Sequence, residues 1–444
     1  MRFLPHTEDD IREMLEAIGA GSLADLFSHI PSHLKKEAPL RLPPRLSEQE
    51  LLSHLSALSG STANSESFIS FLGAGCYDHF IPAAVDAISS RSEFLTSYTP
   101  YQPEVSQGVL QAIFEYQTLV CQLFEMDVAN ASMYDGASAA AEAVLMAGRI
   151  KRRTKAILSM ALHPEYRSVI KTYCHGQMDI QEIGLTKEGL TDLLSLGRLA
   201  DDTTACVVLQ SPNFFGPIER LGEADAIVHR AGALFVMAVA EPISLGLLRP
   251  PGSFNADIVV GEGQPLGSPT SFGGPGLGLF ATRNAHVRQM PGRIVGQTAD
   301  KEGKRAFCLT LATREQHIRR EKATSNICTN EGLLALRSAV YLSLMGKQGL
   351  RRLSEIILDR TELLKKRLKR IPGLSFPFNA PAFNEFVVRM KRSPEKLVTA
   401  LLKKKIIPGL PLGRYYPEMK DCLLISVTEK NSPEDIEALC KALQ

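Results

Sequence analysis

The chain has 444 residues, of which 44% are hydrophobic and 22% charged, and its formal net charge is +2. This length exceeds what one hydrophobic core usually serves, so we expect two domains and an extension. The nearly balanced charge argues against nucleic acid or an anionic membrane as the principal partner.

The N-terminal stretch MRFLPHTEDDIREML is acidic and lacks the apolar segment of a secretory signal, and no apolar run reaches the length of a membrane span. The eight cysteines lie far apart and form no metal-ligand pattern with histidines. We therefore expect a cytoplasmic protein with reduced cysteines, no metal site and no membrane association.

Residues 1–60 are predicted to form a helical arm. Thr7 is a typical helix N-cap and is followed by three acidic residues, which the positive end of a helix dipole favours. Ser47 begins a further predicted helix that continues through Leu58. Because such helices bury little apolar surface alone, we expect the arm to pack on a partner or on the main domain.

Residues 61–315 alternate predicted strands and helices. The helical stretches separate apolar, strand-like runs at Ile157–Met160, Cys206–Gln210, Leu234–Val239 and Asp257–Val260. This βαβ rhythm predicts a mostly parallel sheet with helices on both faces.

The stretch Asn255–Arg283 is the most informative part of this domain. It consists of a predicted strand, a loop rich in Gly, Pro and Ser, and a second apolar run at Leu277–Ala281. Aminotransferase-like enzymes present the lysine that binds pyridoxal phosphate (PLP) on such an arrangement. Here no lysine occurs between Lys187 and Lys301. A Schiff base requires a primary amine that can lose its proton, so we interpret the stretch as a cofactor loop without its reactive group.

Residues 316–444 are predicted to form a smaller α+β domain. Glu331–Met345 and Gly349–Ile371 have the apolar periodicity of helices, and the second carries basic residues towards its C-terminus. Strands are predicted at Phe386–Met390 and Cys422–Val427. The expected arrangement is a small antiparallel sheet with helices on one face.

Longer motifs narrow the assignment to a family. The segments FLGAGCYDHFIP, SYTPYQPEVSQGVLQAIFEYQTLV, NASMYDGASAAAEA, PNFFGPIE, PISLGLL and REQHIRREKATSNICTN resemble the α subunits of two-subunit glycine dehydrogenases, the P-proteins of the glycine cleavage system. The resemblance covers nearly the whole chain. It implies an α/β fold of the fold-type I PLP-dependent transferases, with the arm at 1–60, the large domain at 61–315 and the small domain at 316–444.

The resemblance also implies what has happened to the cofactor pocket. The lysine of the PLP-binding β subunits falls on Gln264, and an amide cannot form an aldimine, so we expect no covalent PLP and no catalytic residue in this chain. The remaining positions of the degenerate pocket are Gly136, Ala137 and Ser138 for the phosphate, His163 for the stacking ring and Glu241 for the pyridine nitrogen. Each also has an ordinary interpretation. Residues 136–138 could begin a capped helix packed through small residues, His163 could be a structural histidine, and Glu241 could be a surface carboxylate.

Two further groups are candidates for contacts outside this pocket. Tyr98, Tyr101 and Gln102 lie in a Pro-bounded, non-helical stretch that in fold-type I enzymes reaches the neighbouring subunit's cofactor, although an ordinary tight turn is an equal alternative. Arg319 and Arg320 are candidates for a docking surface or a substrate channel, with a solvated helix face as the alternative.

The resemblance finally implies a reaction and its partners. Glycine is decarboxylated at the PLP of the β subunit, and the aminomethyl group passes to the lipoyl arm of H-protein with release of CO2. An α2β2 assembly is expected, with the T- and L-proteins as pathway partners. Two alternatives remain open: an independent PLP enzyme that uses a lysine from elsewhere in the chain, and a catalytically inactive scaffold or regulator.

Overall fold

The computed structural model describes residues 5–37, 42–64 and 67–444. Backbone contacts divide the chain into two compact units, Met1–Ala63 and Asn64–Gln444. Residues 1–4 and 38–41 of the predicted arm lie outside the described part of the chain.

The helices and strands are numbered separately in chain order. The α-helices are α1 Glu8–Ala17, α2 Ser32–Glu37, α3 Glu48–Gly60, α4 Ala83–Ser89, α5 Ser92–Leu95, α6 Gln107–Phe124, α7 Gly136–Lys151, α8 Pro164–Tyr173, α9 Leu193–Leu199, α10 Leu221–Arg230, α11 Gln316–Arg319, α12 Gly332–Leu368, α13 Pro394–Leu402 and α14 Pro433–Leu443. The strands are β1 Ile69–Ser70, β2 Val128–Ala129, β3 Lys155–Ser159, β4 Asp179–Ile183, β5 Thr204–Gln210, β6 Leu234–Val239, β7 Ile258–Glu262, β8 Gly278–Thr282, β9 Ile294–Ala299, β10 Arg305–Thr310, β11 Leu374–Ser375, β12 Glu385–Met390, β13 Ile406–Ile407, β14 Leu410–Pro411 and β15 Cys422–Ser426.

The N-terminal unit contains α1 to α3. Both predicted N-caps are confirmed, because Thr7 and Asp10 exchange reciprocal side-chain to backbone hydrogen bonds at α1, as Ser47 and Glu50 do at α3. Neither α1 nor α3 contains a buried residue. These helices are therefore defined by their caps rather than by a core of their own.

The large sheet dominates the second unit. Within the described residues its strand order is β2-β8-β7-β6-β5-β3-β4. The pairs joining β4, β3, β5, β6 and β7 are parallel, and β8 pairs antiparallel with both β7 and β2. The prediction of a mostly parallel sheet is confirmed, and the strand, Gly-rich loop, second strand arrangement corresponds to β7, the loop and β8.

Helices cover both faces of this sheet, as the period-2 alternation of side chains shows. In β5, Val207 and Leu209 belong to one buried apolar cluster, whereas Cys206 and Val208 belong to another. A strand that is buried on both faces requires apolar residues at every position. This requirement explains the continuous apolar runs that the sequence showed.

The C-terminal part contains the small antiparallel sheet, in the order β11-β12-β15-β14. The two helices predicted ahead of it form the single element α12, which Gly346 interrupts with a φ of +56°. The antiparallel hairpin β9–β10, which was not predicted from the sequence, follows β8 along the chain and precedes α11.

Candidate functional site

The candidate site lies where the parallel strands of the large sheet end. His163 precedes α8 just beyond β3, Glu241 follows β6, and Gln264 follows β7. The N-terminus of α7 reaches the same region, because the amide of Gly136 donates to Glu262 Oε2 at 3.0 Å. The carboxyl edge of a parallel sheet is where α/β folds bind ligands. The structure therefore brings the predicted pocket residues together.

Gln264, at the predicted lysine position, is buried and hydrogen-bonded. Its Oε1 accepts from the amide of Tyr77 at 3.0 Å, and its Nε2 donates to the carbonyl of Tyr77 at 2.9 Å and to that of Ser268 at 2.7 Å. The side chain therefore pairs with the Tyr77 backbone as a neighbouring strand would. Both Nε2 protons are therefore donated within the chain, and Oε1 already accepts one hydrogen bond.

The phosphate position is also engaged by the protein itself. Asp135 caps α7 by accepting from the amide of Ser138 at 2.7 Å, which favours the interpretation as a capped helix. Ala137 in the same turn packs against a buried apolar cluster. A Cβ at Gly136 would lie 2.0 Å from the Tyr166 hydroxyl. The glycine is required by this close approach of protein atoms.

Glu262 occupies the place of an anion at this helix N-terminus. Its carboxylate accepts backbone hydrogen bonds from Gly136, Gln264 and Leu277 at 3.0, 3.0 and 2.8 Å. Burial raises the pKa of Glu262 to about 7, against the opposing effect of these three donors. A phosphate here would meet both this carboxylate and that of Asp135. Glu262, which lies two residues before Gln264, was not among the pocket residues predicted from the sequence.

Glu241 is only 2% exposed, so the alternative of a surface carboxylate is wrong. Its Oε2 lies 2.9 Å from His79 Nε2, and His79 Nδ1 lies 2.7 Å from Glu429 Oε2. Burial by itself lowers the pKa of His79, but the two carboxylates outweigh burial and raise it to about 10. A protonated imidazole therefore donates to Glu241 at the position where the resemblance placed a pyridine nitrogen.

His163 is a buried histidine with both ring nitrogens engaged. Its Nε2 lies 2.8 Å from the carbonyl of Ala74, and its Nδ1 accepts from the amide of Glu165 at 3.1 Å. These partners assign the proton to Nε2, and burial lowers the pKa of the ring. The ring also contacts Tyr166 and Phe214. The contacts favour the structural interpretation.

One stretch of chain contacts three of these positions, those of His163, Gln264 and Glu241: residues 73–80, which we call the pocket segment. It supplies Ala74 to His163, Tyr77 to Gln264 and His79 to Glu241. This stretch belongs to the family motif FLGAGCYDHFIP, whose place in the fold was not predicted from the sequence. Its residues show no apolar periodicity, so no local signal indicated that Tyr77 and His79 are buried.

The pocket residues do not fit PLP. Glu262 binds the helix N-terminus at the phosphate position, and His79 binds Glu241, the carboxylate predicted to face the pyridine nitrogen. The carbonyl of Ala74 binds His163, the residue predicted to stack on the cofactor ring, and the amide Gln264 stands at the predicted lysine position and binds the backbone of Tyr77. Each of these contacts is made by the chain itself. The polar groups at this edge of the sheet therefore hydrogen-bond to one another or to the backbone of the chain.

The other candidate residues lie on a separate surface. Tyr98 is 80% exposed and Tyr101 51% exposed, in a non-helical stretch, as predicted, and Gln102 is exposed as well. Tyr98 lines a cavity of about 310 Å³. The Tyr101 hydroxyl accepts a hydrogen bond from buried Arg293, whose guanidinium also lies over the Tyr101 ring.

Arg319 and Arg320 are both exposed, at the end of α11 and the start of the following 3-10 turn. Their positions are compatible with the solvated helix face and with the docking surface alike.

All eight cysteines are free thiols. Among residues 5–37, 42–64 and 67–444, no helix is both long and apolar enough to cross a membrane.

Comparison with known structures supports the fold. The chain superimposes on a crystal structure of glycine decarboxylase, the P-protein of the glycine cleavage system, with a TM-score of 0.91 and 44% identity, covering 99% of this chain and 98% of that one. A sphingosine-1-phosphate lyase from Burkholderia pseudomallei matches with a TM-score of 0.67 and 16% identity over 93% and 94% of the two chains, which shows the fold alone. The fold is that of the fold-type I PLP-dependent enzymes.

Sequence comparison gives the family. Relatives described as probable glycine dehydrogenase (decarboxylating) subunit 1 are 52% identical in Desulforamulus reducens, over 100% of this chain and 99% of the relative, and 49% identical in Bacillus cereus, over 99% and 98%. A family model described as glycine cleavage system P-protein matches residues 1–443. The chain therefore belongs to the P-protein family of the glycine cleavage system.

Proposed function

We propose that this chain is the α subunit of a two-subunit glycine decarboxylase and that it binds no PLP itself. The observation that carries the proposal is Gln264, a buried and hydrogen-bonded amide at the position where the resemblance predicts the reactive lysine. The description of its relatives as subunit 1 supports a second subunit, on which we place the PLP.

The proposed reaction takes place in the assembled enzyme. Glycine is decarboxylated at the β subunit, and the aminomethyl group is transferred to the lipoyl arm of H-protein with release of CO2. PLP, when bound to the partner, stabilises the electron pair left by decarboxylation. The present chain contributes interface and positioning residues. We further propose an α2β2 assembly, a cytoplasmic location, and the T- and L-proteins as the partners that process the aminomethyl and lipoyl groups.

The exposed stretch around Tyr98 is the surface that we assign to the partner. Four large apolar or aromatic side chains of this stretch are exposed: Leu95 by 54%, Tyr98 by 80%, Tyr101 by 51% and Val105 by 78%. Exposed apolar patches and tyrosines are typical of protein interfaces. Buried Arg293 fixes the phenol of Tyr101 through a hydrogen bond and a cation–π contact. We propose that Tyr98, Tyr101 and Gln102 complete the partner's active site.

We propose that the two exposed arginines contribute to docking and not to the partner's active site. Arg319 and Arg320 carry positive charge near the end of α11 and are proposed to contact acidic groups of the docking protein. Such exposed charges influence association rates more than the chemical step, so their effect is expected to weaken with added salt.

Reconstitution tests the proposal. The full chain is mixed with a lysine-bearing β homologue, H-protein and PLP, and glycine–bicarbonate exchange is measured for each protein alone and for the mixture. The proposal requires exchange by the mixture and none by this chain alone. Covalent PLP on this chain, detected by borohydride reduction and mass spectrometry, would support the independent enzyme instead. Failure of the chain to stimulate a β subunit would support the scaffold.

A further inference from the structure

We propose that the pocket segment, residues 73–80, permanently fills the former cofactor pocket and connects the large sheet of the second unit to the small antiparallel sheet. In consequence, PLP is excluded by the fold itself and would be excluded even if the lysine were restored. The inference depends only on contacts within this chain and not on the proposed partner.

The pocket segment hydrogen-bonds at several separate points to residues that follow strands of the large sheet. Tyr77 pairs with Gln264 through both its amide and its carbonyl, His79 contacts Glu241 at 2.9 Å, and the carbonyl of Ala74 contacts His163 at 2.8 Å. These partners follow three different strands of the large sheet. The segment therefore spans the pocket rather than touching its rim.

The pocket segment also forms hydrogen bonds with the small sheet and with residues that follow it. Glu385 at the start of β12 accepts from the amide of Ala74 and from the hydroxyl of Tyr77, both at 2.7 Å. Beyond β15, Thr428 Oγ1 donates to the carbonyl of Asp78 at 2.9 Å, and Lys430 Nζ lies 2.7 Å from the Asp78 carboxylate. One short stretch thus links both sheets.

The fit of the pocket segment leaves little space. Tyr77 is 1% exposed and His79 5% exposed. A Cβ at Gly73 would lie 2.4 Å from Ser426 Cβ, and one at Gly75, whose φ is +93°, would lie 3.0 Å from the His163 ring. Distances this short leave no room for side chains, so the glycines are needed where the backbone passes between the sheets.

Exclusion of PLP therefore does not rest on one missing amine. A ligand in this pocket would have to displace Tyr77 and His79, and each buried partner left behind would lose its hydrogen bond. Replacing Gln264 by lysine would restore a primary amine and nothing else. The amine would still face the backbone of Tyr77.

The first experiment uses the Gln264→Lys variant of the full chain, with the wild-type chain as control. Both are incubated with PLP, reduced with borohydride and digested, and the modified peptides are mapped by mass spectrometry while circular dichroism reports folding. We expect the same background of surface-lysine adducts in both proteins and none at position 264 of the folded variant. A stoichiometric adduct at position 264 in folded protein would overturn the proposal.

A second experiment needs no variant and decides the matter if that substitution prevents folding. Amide hydrogen exchange is measured across the full wild-type chain with and without PLP. The amides of Ala74, Tyr77 and Phe80 are hydrogen-bonded to buried or half-buried partners, so residues 73–80 should exchange at least about 100-fold more slowly than the exposed stretch 97–102. Exchange as fast as in that stretch, or a change in 73–80 caused by PLP, would show that the pocket is open.

Discussion

Replacing Glu385 by glutamine tests the electrostatics of the pocket directly. Glu385 is 4% exposed, and its two oxygens accept from the Ala74 amide and the Tyr77 hydroxyl. Burial raises its pKa from 4.5 to about 7, although both hydrogen bonds oppose the rise. Above pH 7 the Glu385 side chain is therefore charged in the folded protein, although its buried surroundings favour the neutral carboxylic acid.

The sign of the pH dependence follows from this shift. The folded protein binds the Glu385 proton more tightly than the unfolded chain does, so the associated stabilisation is complete below pH 4.5 and is lost as the pH rises to 7. The difference between these two pKa values corresponds to roughly 3 kcal/mol, at about 1.4 kcal/mol per pH unit. Glutamine is neutral at every pH and can still accept from Ala74 and donate to the oxygen of Tyr77.

We therefore expect Glu385→Gln to match the wild type at pH 5 and to be more stable at pH 8, by up to roughly 3 kcal/mol. The free energy of unfolding is measured by urea denaturation of the full chain at pH 5, 6, 7 and 8. Circular dichroism is the appropriate signal, because the chain contains no tryptophan. Glu262, whose pKa burial also raises to about 7, remains in the variant, so part of the pH dependence should persist.

The matched control is Glu362→Gln, an isosteric change at an exposed carboxylate on α12 that contacts Lys365. A surface ion pair contributes little, so this variant should follow the wild type at every pH within about 1 kcal/mol. The reasoning would be refuted if Glu385→Gln were less stable than the wild type at pH 8, or if its difference from the wild type were the same at pH 5 and pH 8.

Three further predictions concern the same fold. Tyr77→Phe should lower the free energy of unfolding, measured by urea denaturation, by about 1.5–3 kcal/mol, because Glu385 loses a hydrogen-bond donor. The control Tyr116→Phe should change it by less than about 1 kcal/mol, because the buried Tyr116 hydroxyl has no hydrogen-bond partner among the described residues; equal losses in the two variants would contradict the Tyr77–Glu385 contact. Gly216→Ala places a Cβ 1.9 Å from the Glu385 carbonyl at a φ of +105°, so thermal denaturation should show a loss of more than about 3 kcal/mol, and an unchanged midpoint would disprove the close approach. Tyr98→Ala should lower glycine–bicarbonate exchange by the reconstituted enzyme about tenfold or more while leaving the chain's thermal midpoint unchanged, and full activity would remove Tyr98 from the proposed interface.

Local patterns determined much of this protein. Continuous apolar runs predicted the parallel strands β3, β5, β6 and β7, because a strand buried on both faces needs apolar residues throughout. Caps at Thr7 and Ser47 located two helices. The absence of lysine from 188–300, together with the long motifs, led to the fold and to the family. The division at 315 into large and small domains and the roles of Tyr98, Tyr101 and Gln102 remain predictions.

Only the tertiary structure decided what fills the pocket. Glu385, Glu429 and Glu262 meet the pocket region from distant parts of the chain, and the Tyr77–Glu385 hydrogen bond joins residues 308 positions apart. Such pairings leave no periodic pattern in the sequence. They form because a buried polar group needs a hydrogen-bond partner, and the fold can supply that partner from any part of the chain. The sequence predicts that the reactive amine is missing, whereas the three-dimensional packing is the basis for our proposal that the chain itself occupies the space.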